Sequence, residues 1–147
     1  MSDLKLWIKG ARLRTLPLAV APILIGAGTA QIAGKFNLGY VLLALSVALF
    51  LQIGVNYSND YSDGIRGTDD NRVGPARLTG GGFVPPKKVR NAAFASFAVA
   101  AVFGLVITVL TQQWWFVAVG VVCILAAWFY TGGKKPYGYA GLGEVIV

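Results

Sequence analysis

Three long stretches of this chain contain no charged residue, and they restrict the possible folds more than any other feature. The uncharged runs are residues 15–34, 36–59 and 91–133, which are 20, 24 and 43 residues long. A helix needs about 20 apolar residues to cross the hydrocarbon core of a bilayer, so the third run is long enough for two crossings. Strands of a transmembrane β-barrel would be about 10 residues long and strictly alternating, and that alternation is missing here. The runs therefore predict four transmembrane helices.

Composition excludes several other classes of protein. Apolar residues make up 56% of the chain and charged residues 13%, whereas soluble domains carry about 25% charged residues. One cysteine and no histidine give no basis for a disulfide framework or a zinc module, and so much apolar mass is not typical of a disordered chain. We expect one all-α domain over residues 1–147. The four predicted spans are 16–33, 38–57, 92–111 and 114–130. A long loop, about 60–90, connects the second span to the third.

The basic residues are distributed asymmetrically about these spans. Twelve of the 13 lysines and arginines precede the first span, lie in the long loop or follow the fourth span, and only Lys35 lies on the opposite side. Since cytoplasmic segments carry the excess of positive charge, we expect a multi-pass inner (plasma) membrane protein with a cytoplasmic N-terminus. The basic residues flank spans, so the pattern does not favour nucleic acid as a partner. The lipid bilayer, with its anionic headgroups, or a phosphorylated substrate fits better.

The second span ends in a cluster of acidic and amide side chains. Four of the six acidic residues lie between Asn56 and Arg72. If the helix continues, Asn56, Asp60 and Asp63 are spaced i, i+4, i+7, and Asn59 lies four residues before Asp63, so their oxygens occupy adjoining strips of one face. Oxygen ligands without histidine or cysteine favour Mg²⁺ or Ca²⁺ over zinc. The alternative is a solvated helix end whose Asn and Asp residues serve only as caps, but carboxylates directly after a long apolar span favour a functional site.

We expect the main cation ligands to be Asp60 and Asp63, assisted by Asn59. A Mg²⁺ ion keeps several waters and typically takes one or two carboxylates together with substrate phosphates. Basic side chains near this mouth of the bundle would neutralise a diphosphate. The expected diphosphate-binding residues are Arg66, Arg72, Lys134 and Lys135.

The segment Asn59-Asp60-Tyr61-Ser62-Asp63 resembles the first aspartate-rich motif of the UbiA-type intramembrane prenyltransferases, N-D-x-x-D-x-x-x-D. The longer run to Pro75, with residues 12–17 and 130–138, is similar to the branch of that family that acts in menaquinone biosynthesis. The last aspartate of the general motif falls on Gly67, so Asp69 or Asp70 is expected to replace it as a metal ligand. The family fold has nine transmembrane helices and a second aspartate-rich motif in a later loop. The resemblance thus implies that this chain is the N-terminal part, with about four of the nine helices.

The resemblance also implies a reaction. Members of this branch transfer a polyprenyl group from polyprenyl diphosphate to 1,4-dihydroxy-2-naphthoate with loss of CO₂, giving demethylmenaquinone, and Mg²⁺ links the diphosphate to both aspartate motifs. The prenyl tail would lie along the apolar inner faces of the spans, and we expect Asn56 and Tyr130 to contact substrate. Because one acidic cluster holds the diphosphate from one side only, the 147 residues alone are expected to be inactive.

Two other functions remain open on the sequence. An ion or proton transporter would place Asp60 and Asp63 in a conduction path, which predicts acidic groups near the middle of the membrane. A non-catalytic membrane subunit would use the polar cluster to bind a loop of its partner and would need no Mg²⁺. A second aspartate-rich segment farther along the gene would favour the prenyltransferase.

Overall fold

The computed structural model describes residues 3–68 and 77–143, and within these two ranges the chain is helical with no β-strand. The helices are α1 (Asp3–Gly10), α2 (Leu16–Ile32), α3 (Leu38–Arg66), α4 (Pro86–Thr111) and α5 (Trp115–Phe129), with short 3₁₀ turns at Leu13–Thr15 and Tyr137–Ala140. The predicted all-α fold is confirmed.

Three helical segments in the described ranges are long and apolar enough to cross a membrane. They are Asp3–Ile32, taken through its central turn, Leu38–Arg66 and Pro86–Thr111. The fourth predicted span is present as α5, an apolar helix of 15 residues. At 1.5 Å per residue, α5 is about 22 Å long and so shorter than a hydrocarbon core of about 30 Å.

The ends of α3 follow from local sequence signals. Asn37 caps its first turn, because the Asn37 side chain accepts the backbone N–H of Tyr40 at 3.1 Å. The helix ends where Gly67 adopts a left-handed conformation with φ of 72°, which costs glycine little. Because nothing breaks the helix before Gly67, α3 extends to Arg66, beyond the predicted end of the span at residue 57, and it includes the acidic cluster.

The other boundaries show the same tendency. Helix α4 begins at Pro86, earlier than the predicted start at residue 92, with proline in the first turn where its missing N–H is not needed. The turn predicted between the third and fourth spans is confirmed, since α4 ends at Thr111 and Gln112 is left-handed with φ of 56°. Because α3 ends at Arg66 and α4 begins at Pro86, the connection between them is shorter than the predicted loop of about 60–90.

Helices α3 and α4 form the centre of the fold and make the most extensive contact of any pair. Gly54 allows this approach, because a Cβ atom at that position would lie 2.5 Å from the Phe97 ring. The buried apolar side chains cluster at one end of the pair: Ala11, Tyr57, Leu78, Val84, Val89, Ala93 and Phe97. Elsewhere the helices carry large exposed apolar side chains, among them Leu18, Leu24, Ile25, Val122 and Leu125. Such a surface is typical of a multi-pass membrane protein.

Candidate functional site

The N-terminal segment is bound to the polar end of α3. Asn56, which is buried, donates from Nδ2 to the Ala11 carbonyl and to Thr15 Oγ1, both at 2.9 Å. The Tyr57 hydroxyl donates to the Trp7 carbonyl at 3.0 Å, and the two rings pack edge to face with centroids 5.5 Å apart. Because buried polar groups need such partners, these bonds fix the basic N-terminal segment beside the acidic cluster.

The segment that precedes α4 is bound to the same end of α3. Asp60 is 1% exposed, and its carboxylate accepts two backbone N–H groups, from Leu78 at 2.9 Å and from Thr79 at 2.8 Å. Gly64, one turn later, lets the chain approach, since a Cβ atom there would lie 2.5 Å from the Thr79 side chain and 2.8 Å from the backbone nitrogen of Gly80. Asp60 therefore serves as an anchor for this segment.

The segment that follows α5 is the third to meet α3. Asn59 Oδ1 accepts a hydrogen bond from Thr131 Oγ1 at 2.8 Å, and Asp63 Oδ1 accepts one from the Tyr139 hydroxyl. The Arg66 guanidinium donates to the carbonyls of Thr131 and Gly133. The last three turns of α3 thus join three segments that are far apart in sequence.

A polar cavity of about 290 Å³ lies where these segments meet, several times the roughly 30 Å³ that a water molecule takes in the liquid. The described residues that line it are Arg12, Asn59, Asp63, Arg77, Tyr130, Thr131, Gly138 and Tyr139. Two of these side chains are cationic and one is anionic. The cavity thus has the charges to receive an anion together with a metal ion.

Arg77 and Asp63 form an ion pair at the edge of this cavity. Their closest nitrogen and oxygen atoms, Nη2 and Oδ2, are 3.5 Å apart, and the two side chains are only 9% and 14% exposed. Burial strengthens such a pair relative to one on the surface. The pair therefore orients the Asp63 carboxylate within the cavity.

Tyr139 provides the other contact to Asp63. Burial raises the pKa of the Tyr139 phenol, and its hydrogen bond to Asp63 raises the pKa further. A raised phenol pKa keeps the proton on Tyr139 at neutral pH, so the hydroxyl remains a donor. The hydrogen bond is present below the ordinary pKa of 10.0 and is lost only as the pH rises through the higher value of the folded protein.

The structure brings together three of the predicted site residues and places the others elsewhere. Asn59, Asp63 and Tyr130 line the polar cavity. Asp60 lies beneath the segment before α4, Arg66 binds the carbonyls after α5, and Asn56 binds the N-terminal segment. Lys134 and Lys135 are exposed and are not among the lining residues. Asp69, Asp70 and Arg72 lie outside the described residues.

Two cavity residues, Arg12 and Arg77, were missed by the sequence analysis. Arg12 belongs to the segment 12–17 on which the family resemblance partly rests, and this was the signal available. Its backbone is left-handed with φ of 51°, an uncommon conformation for a residue with a side chain that often marks functional positions. Arg77 carried no signal, because its place in the cavity depends on the tertiary contacts of the segment before α4.

The donors in the cavity fit a magnesium ion. Asn59 and Asp63 supply one amide and one carboxylate, and the described residues contain no group of three or more His, Cys, Asp or Glu that would enclose a metal. This partial set suits Mg²⁺, which usually binds one or two carboxylates and completes its shell with waters and substrate phosphates. The two arginines stand where such phosphates would need partners.

Comparisons with known proteins identify relatives of this chain. The sequence profile of the UbiA prenyltransferase family matches residues 19–147. The chain is 54% identical over 147 residues to a 1,4-dihydroxy-2-naphthoate octaprenyltransferase of Mycobacterium tuberculosis, and the match covers all of this chain and 50% of the relative. It is 35% identical over 153 residues to the enzyme of the same name from Escherichia coli, again with all of this chain and 50% of the relative covered.

A more distant relative is named for a different transfer reaction. The 2-carboxy-1,4-naphthoquinone phytyltransferase of Synechocystis is 29% identical over 148 residues, covering 97% of this chain and 46% of the relative. The chain spans about half the length of the curated relatives it matches. No solved structure gave a significant match. The family profile covers most of the chain and relatives more than 30% identical cover all of it, so the chain belongs to the UbiA prenyltransferase family.

Proposed function

We propose that the protein transfers a polyprenyl group from polyprenyl diphosphate to 1,4-dihydroxy-2-naphthoate, with Mg²⁺ and with loss of CO₂. The observation that carries this proposal is the polar cavity, where two arginines face an aspartate and an asparagine at the end of a membrane-length helix. The relatives, which are named 1,4-dihydroxy-2-naphthoate octaprenyltransferases, support the choice of acceptor.

The arginines of the cavity would bind the diphosphate. A guanidinium group donates two parallel hydrogen bonds to phosphate oxygens and neutralises their charge. Arg12 and Arg77 line the cavity from the N-terminal segment and from the segment before α4. A diphosphate held by both would be clamped between two segments that are both anchored on α3.

Asn59 and Asp63 would hold the metal ion. Both line the cavity, and each is oriented by a second contact, Asn59 by the Thr131 hydroxyl and Asp63 by Tyr139. When bound, Mg²⁺ supplies positive charge that stabilises the departing diphosphate. With a metal bound, the Asp63 carboxylate would hold it, and Arg77, which lies 3.5 Å from Asp63, would donate to the phosphate oxygens.

The transfer itself exchanges a C–O bond for a C–C bond. The allylic C–O bond to the diphosphate breaks, a ring carbon of the naphthoate forms the new C–C bond, and the ring carboxylate leaves as CO₂. The residues of this chain bind and orient the diphosphate, and the acceptor would enter beside Tyr130, whose ring lines the same cavity.

An apolar cavity would hold the prenyl tail. It has a volume of about 230 Å³ and lies between the helices α3, α4 and α5. Leu51, Ala100, Gly104, Phe116 and Gly120 are among its lining residues. Leu51 and Asp63 are on the same helix, about 18 Å apart along its axis at 1.5 Å per residue, so a polyprenyl chain could extend from the polar end into the apolar end.

The end of the bundle that holds the polar cavity would face the cytoplasm. The basic N-terminal segment, the loop between α3 and α4 and the segment after α5 all meet there, and positive charge favours the cytoplasmic side. The soluble acceptor would then reach the cavity from the cytoplasm, while the lipid donor would enter from the bilayer.

The proposal is tested with the protein expressed from its complete gene and reconstituted in lipid nanodiscs. We expect prenylated product, identified by mass spectrometry, when 1,4-dihydroxy-2-naphthoate, octaprenyl diphosphate and Mg²⁺ are all present, and none after chelation with EDTA. A naphthoate labelled with ¹⁴C in its carboxyl group should release one ¹⁴CO₂ for each product formed. Product without Mg²⁺, or with the carboxylate retained, would contradict that part of the proposal.

The transporter hypothesis gives a different result in the same preparation. Within the described residues, Asp60 and Asp63 lie in the last two turns of α3 rather than near its middle. We therefore expect proteoliposomes to show no cation or proton flux above that of empty vesicles. Flux that depends on Asp63, without any prenyl transfer, would favour the transporter and overturn the proposed function.

A further inference from the structure

Asp60 belongs to the aspartate-rich segment, yet its carboxylate is already occupied by protein. Oδ2 accepts the N–H of Leu78 and Oδ1 accepts the N–H of Thr79, at 2.9 and 2.8 Å, and the residue is 1% exposed. Its neighbours Asn59 and Asp63 line the polar cavity, whereas Asp60 is not among the lining residues. Successive residues of an α-helix are rotated by about 100°, so Asp60 and Asn59 face different directions.

The backbone that Asp60 binds belongs to a compact turn, residues 77–84, here called the arginine turn. Leu78 is 1% exposed and packs in the apolar cluster, where a Cβ atom at Gly10 would lie 2.5 Å from the leucine side chain. The Leu78 carbonyl accepts the N–H groups of Phe83 and Val84, both at 3.0 Å. The turn is thus fixed at Leu78 by its side chain, by its carbonyl and, through Asp60, by its N–H.

Arg77 immediately precedes Leu78, so the position of Arg77 depends on how Leu78 is held. The Arg77 guanidinium reaches the polar cavity and lies 3.5 Å from Asp63. A displacement of the arginine turn away from α3 would move the guanidinium away from Asp63 and from any ligand of the cavity. The carboxylate of Asp60 therefore controls where the positive charge of Arg77 stands.

We infer that Asp60 is a positioning residue that holds the arginine turn on α3 so that Arg77 reaches the cavity beside Asp63, and that it is not a metal ligand. To bind a metal, the Asp60 carboxylate would have to be uncovered, because Asp60 is 1% exposed, does not line the cavity and holds the backbone N–H groups of Leu78 and Thr79. The inference rests on the proposed function in one respect, namely that the ligand of the cavity is a diphosphate.

Three single variants of the protein expressed from its complete gene test this role. Asp60→Asn replaces one acceptor oxygen by an NH₂ group that faces a backbone N–H. Gly64→Ala displaces the same turn without touching a carboxylate, because the added methyl group would meet Thr79 and Gly80. Asp63→Asn is the matched control, with the same chemical change three residues away on the face that lines the cavity.

The first readout is metal binding without substrate, measured by electron paramagnetic resonance of Mn²⁺ in place of Mg²⁺. We expect Asp60→Asn and Gly64→Ala to change the Kd for Mn²⁺ by less than about twofold, and Asp63→Asn to weaken it more than tenfold, since Asp63 supplies the carboxylate in the described part of the site. Loss of Mn²⁺ binding in Asp60→Asn, equal to that in Asp63→Asn, would make Asp60 a ligand and overturn the inference.

The second readout is anion binding, measured with inorganic pyrophosphate by calorimetry in saturating Mn²⁺. We expect Asp60→Asn, Gly64→Ala and Arg77→Gln each to weaken pyrophosphate binding about tenfold, the effect of losing a charge-assisted hydrogen bond. The double variant Asp60→Asn/Arg77→Gln should bind about as well as Arg77→Gln alone, because the two changes remove the same contact. Additive losses, or unchanged binding in Gly64→Ala, would show that Asp60 does not act through Arg77.

These readouts separate the inference from the proposed function. Mn²⁺ and pyrophosphate binding do not require any particular acceptor, so Asp60 can be assigned even if 1,4-dihydroxy-2-naphthoate is not prenylated. Thermal unfolding in detergent distinguishes loss of the turn from loss of the fold. A pyrophosphate defect in Asp60→Asn that Gly64→Ala does not reproduce at an unchanged Tm would overturn the inference.

Discussion

The two halves of α3 differ in whether their residues are buried. In residues 38–53 the helix is apolar and no side chain is fully buried, whereas every buried residue of α3 lies in the second half: Gly54, Asn56, Tyr57, Ser58, Asp60 and Ser62. A water-soluble helix would bury its apolar residues and expose its polar ones. Here the polar half contains the buried residues of α3, and the side chains of the apolar half remain partly exposed.

This difference shows where the geometry of the fold is specified. A buried polar group is costly unless it has hydrogen-bond partners, so Asn56, Tyr57 and Asp60 accept few arrangements of the neighbouring segments. The apolar half makes contacts without direction and leaves the cavity of about 230 Å³ beside α4 and α5. We therefore expect changes in the polar half to affect function and stability, and equivalent changes in the apolar half to have little effect.

The largest expected effect concerns membrane topology, that is, which ends of the helices face the outside of the cell. In a Cys123→Ala background, a membrane-impermeant maleimide added outside intact cells should label cysteines at Lys35 or Gln112 completely and a cysteine at Lys88 not at all. The reason is that Lys88 lies at the polar, basic end and the other two lie at the opposite ends of the helices. External labelling at Lys88 would invert the topology.

The next largest effect concerns Asp63, the carboxylate that lines the polar cavity. Asp63→Asn in the full protein should lower kcat/KM at least 100-fold, because the loss of a metal contact costs several kcal/mol in the transition state. Membrane insertion should be unchanged, since the side chain is near the end of α3. Near-normal turnover in this variant would separate the polar end from catalysis and remove the functional side of the comparison.

A smaller effect is expected from two glycines, Gly54 in the polar half of α3 and Gly104 in the apolar part of α4. Gly54→Ala should lower the free energy of unfolding in detergent micelles by about 2 kcal/mol, because the methyl group would meet the Phe97 ring and overpack the helix contact. Gly104→Ala is the matched control, with no atom within 4 Å of the added Cβ. Equal losses in both variants would mean that the surroundings of Gly54 on α3 and of Gly104 on α4 are equally well packed.

The smallest effect is expected for single hydrogen bonds. Asn56→Ala should lower the free energy of unfolding by about 1 to 2 kcal/mol, because it leaves the Ala11 carbonyl and the Thr15 hydroxyl without this donor. Ser46→Ala removes only a bond from the hydroxyl to the Leu42 carbonyl within the apolar half. We expect its effect to be within 0.5 kcal/mol, and a larger loss there than at Asn56 would contradict the contrast.

The membrane-length helices could be predicted from the sequence because uncharged runs report directly on transfer into lipid. The polar ends of α3 and α4 could not, since the residues up to Arg66 remain helical until Gly67 provides a stop and α4 already begins at Pro86. The uncharged run that contains α5 continues to residue 133, but the helix ends at Phe129, close to the predicted end of the span at residue 130.

Helical periodicity predicted the candidate site only where it lies on one helix, whereas Tyr130 was expected from the family resemblance. Asn59 and Asp63 are four residues apart, so helical periodicity alone predicted that they share a face, and both line the polar cavity. The Asp60 carboxylate instead accepts the N–H groups of Leu78 and Thr79. Arg77 reaches the cavity through contacts across the fold. Such contacts leave no local pattern in the sequence.

The polar end of α3 has a consequence for the order of events during synthesis. Thr131 and Tyr139, the partners of Asn59 and Asp63, follow them by 72 and 76 residues. At translation rates of about 5 to 20 residues per second, they leave the ribosome roughly 4 to 15 s later. Throughout that delay Asn59 lacks Thr131 and Asp63 lacks Tyr139, although Arg77 follows Asp63 by only 14 residues. The bundle therefore closes its polar end as a late step, after the helix that precedes Thr131 has been delivered by the insertion machinery.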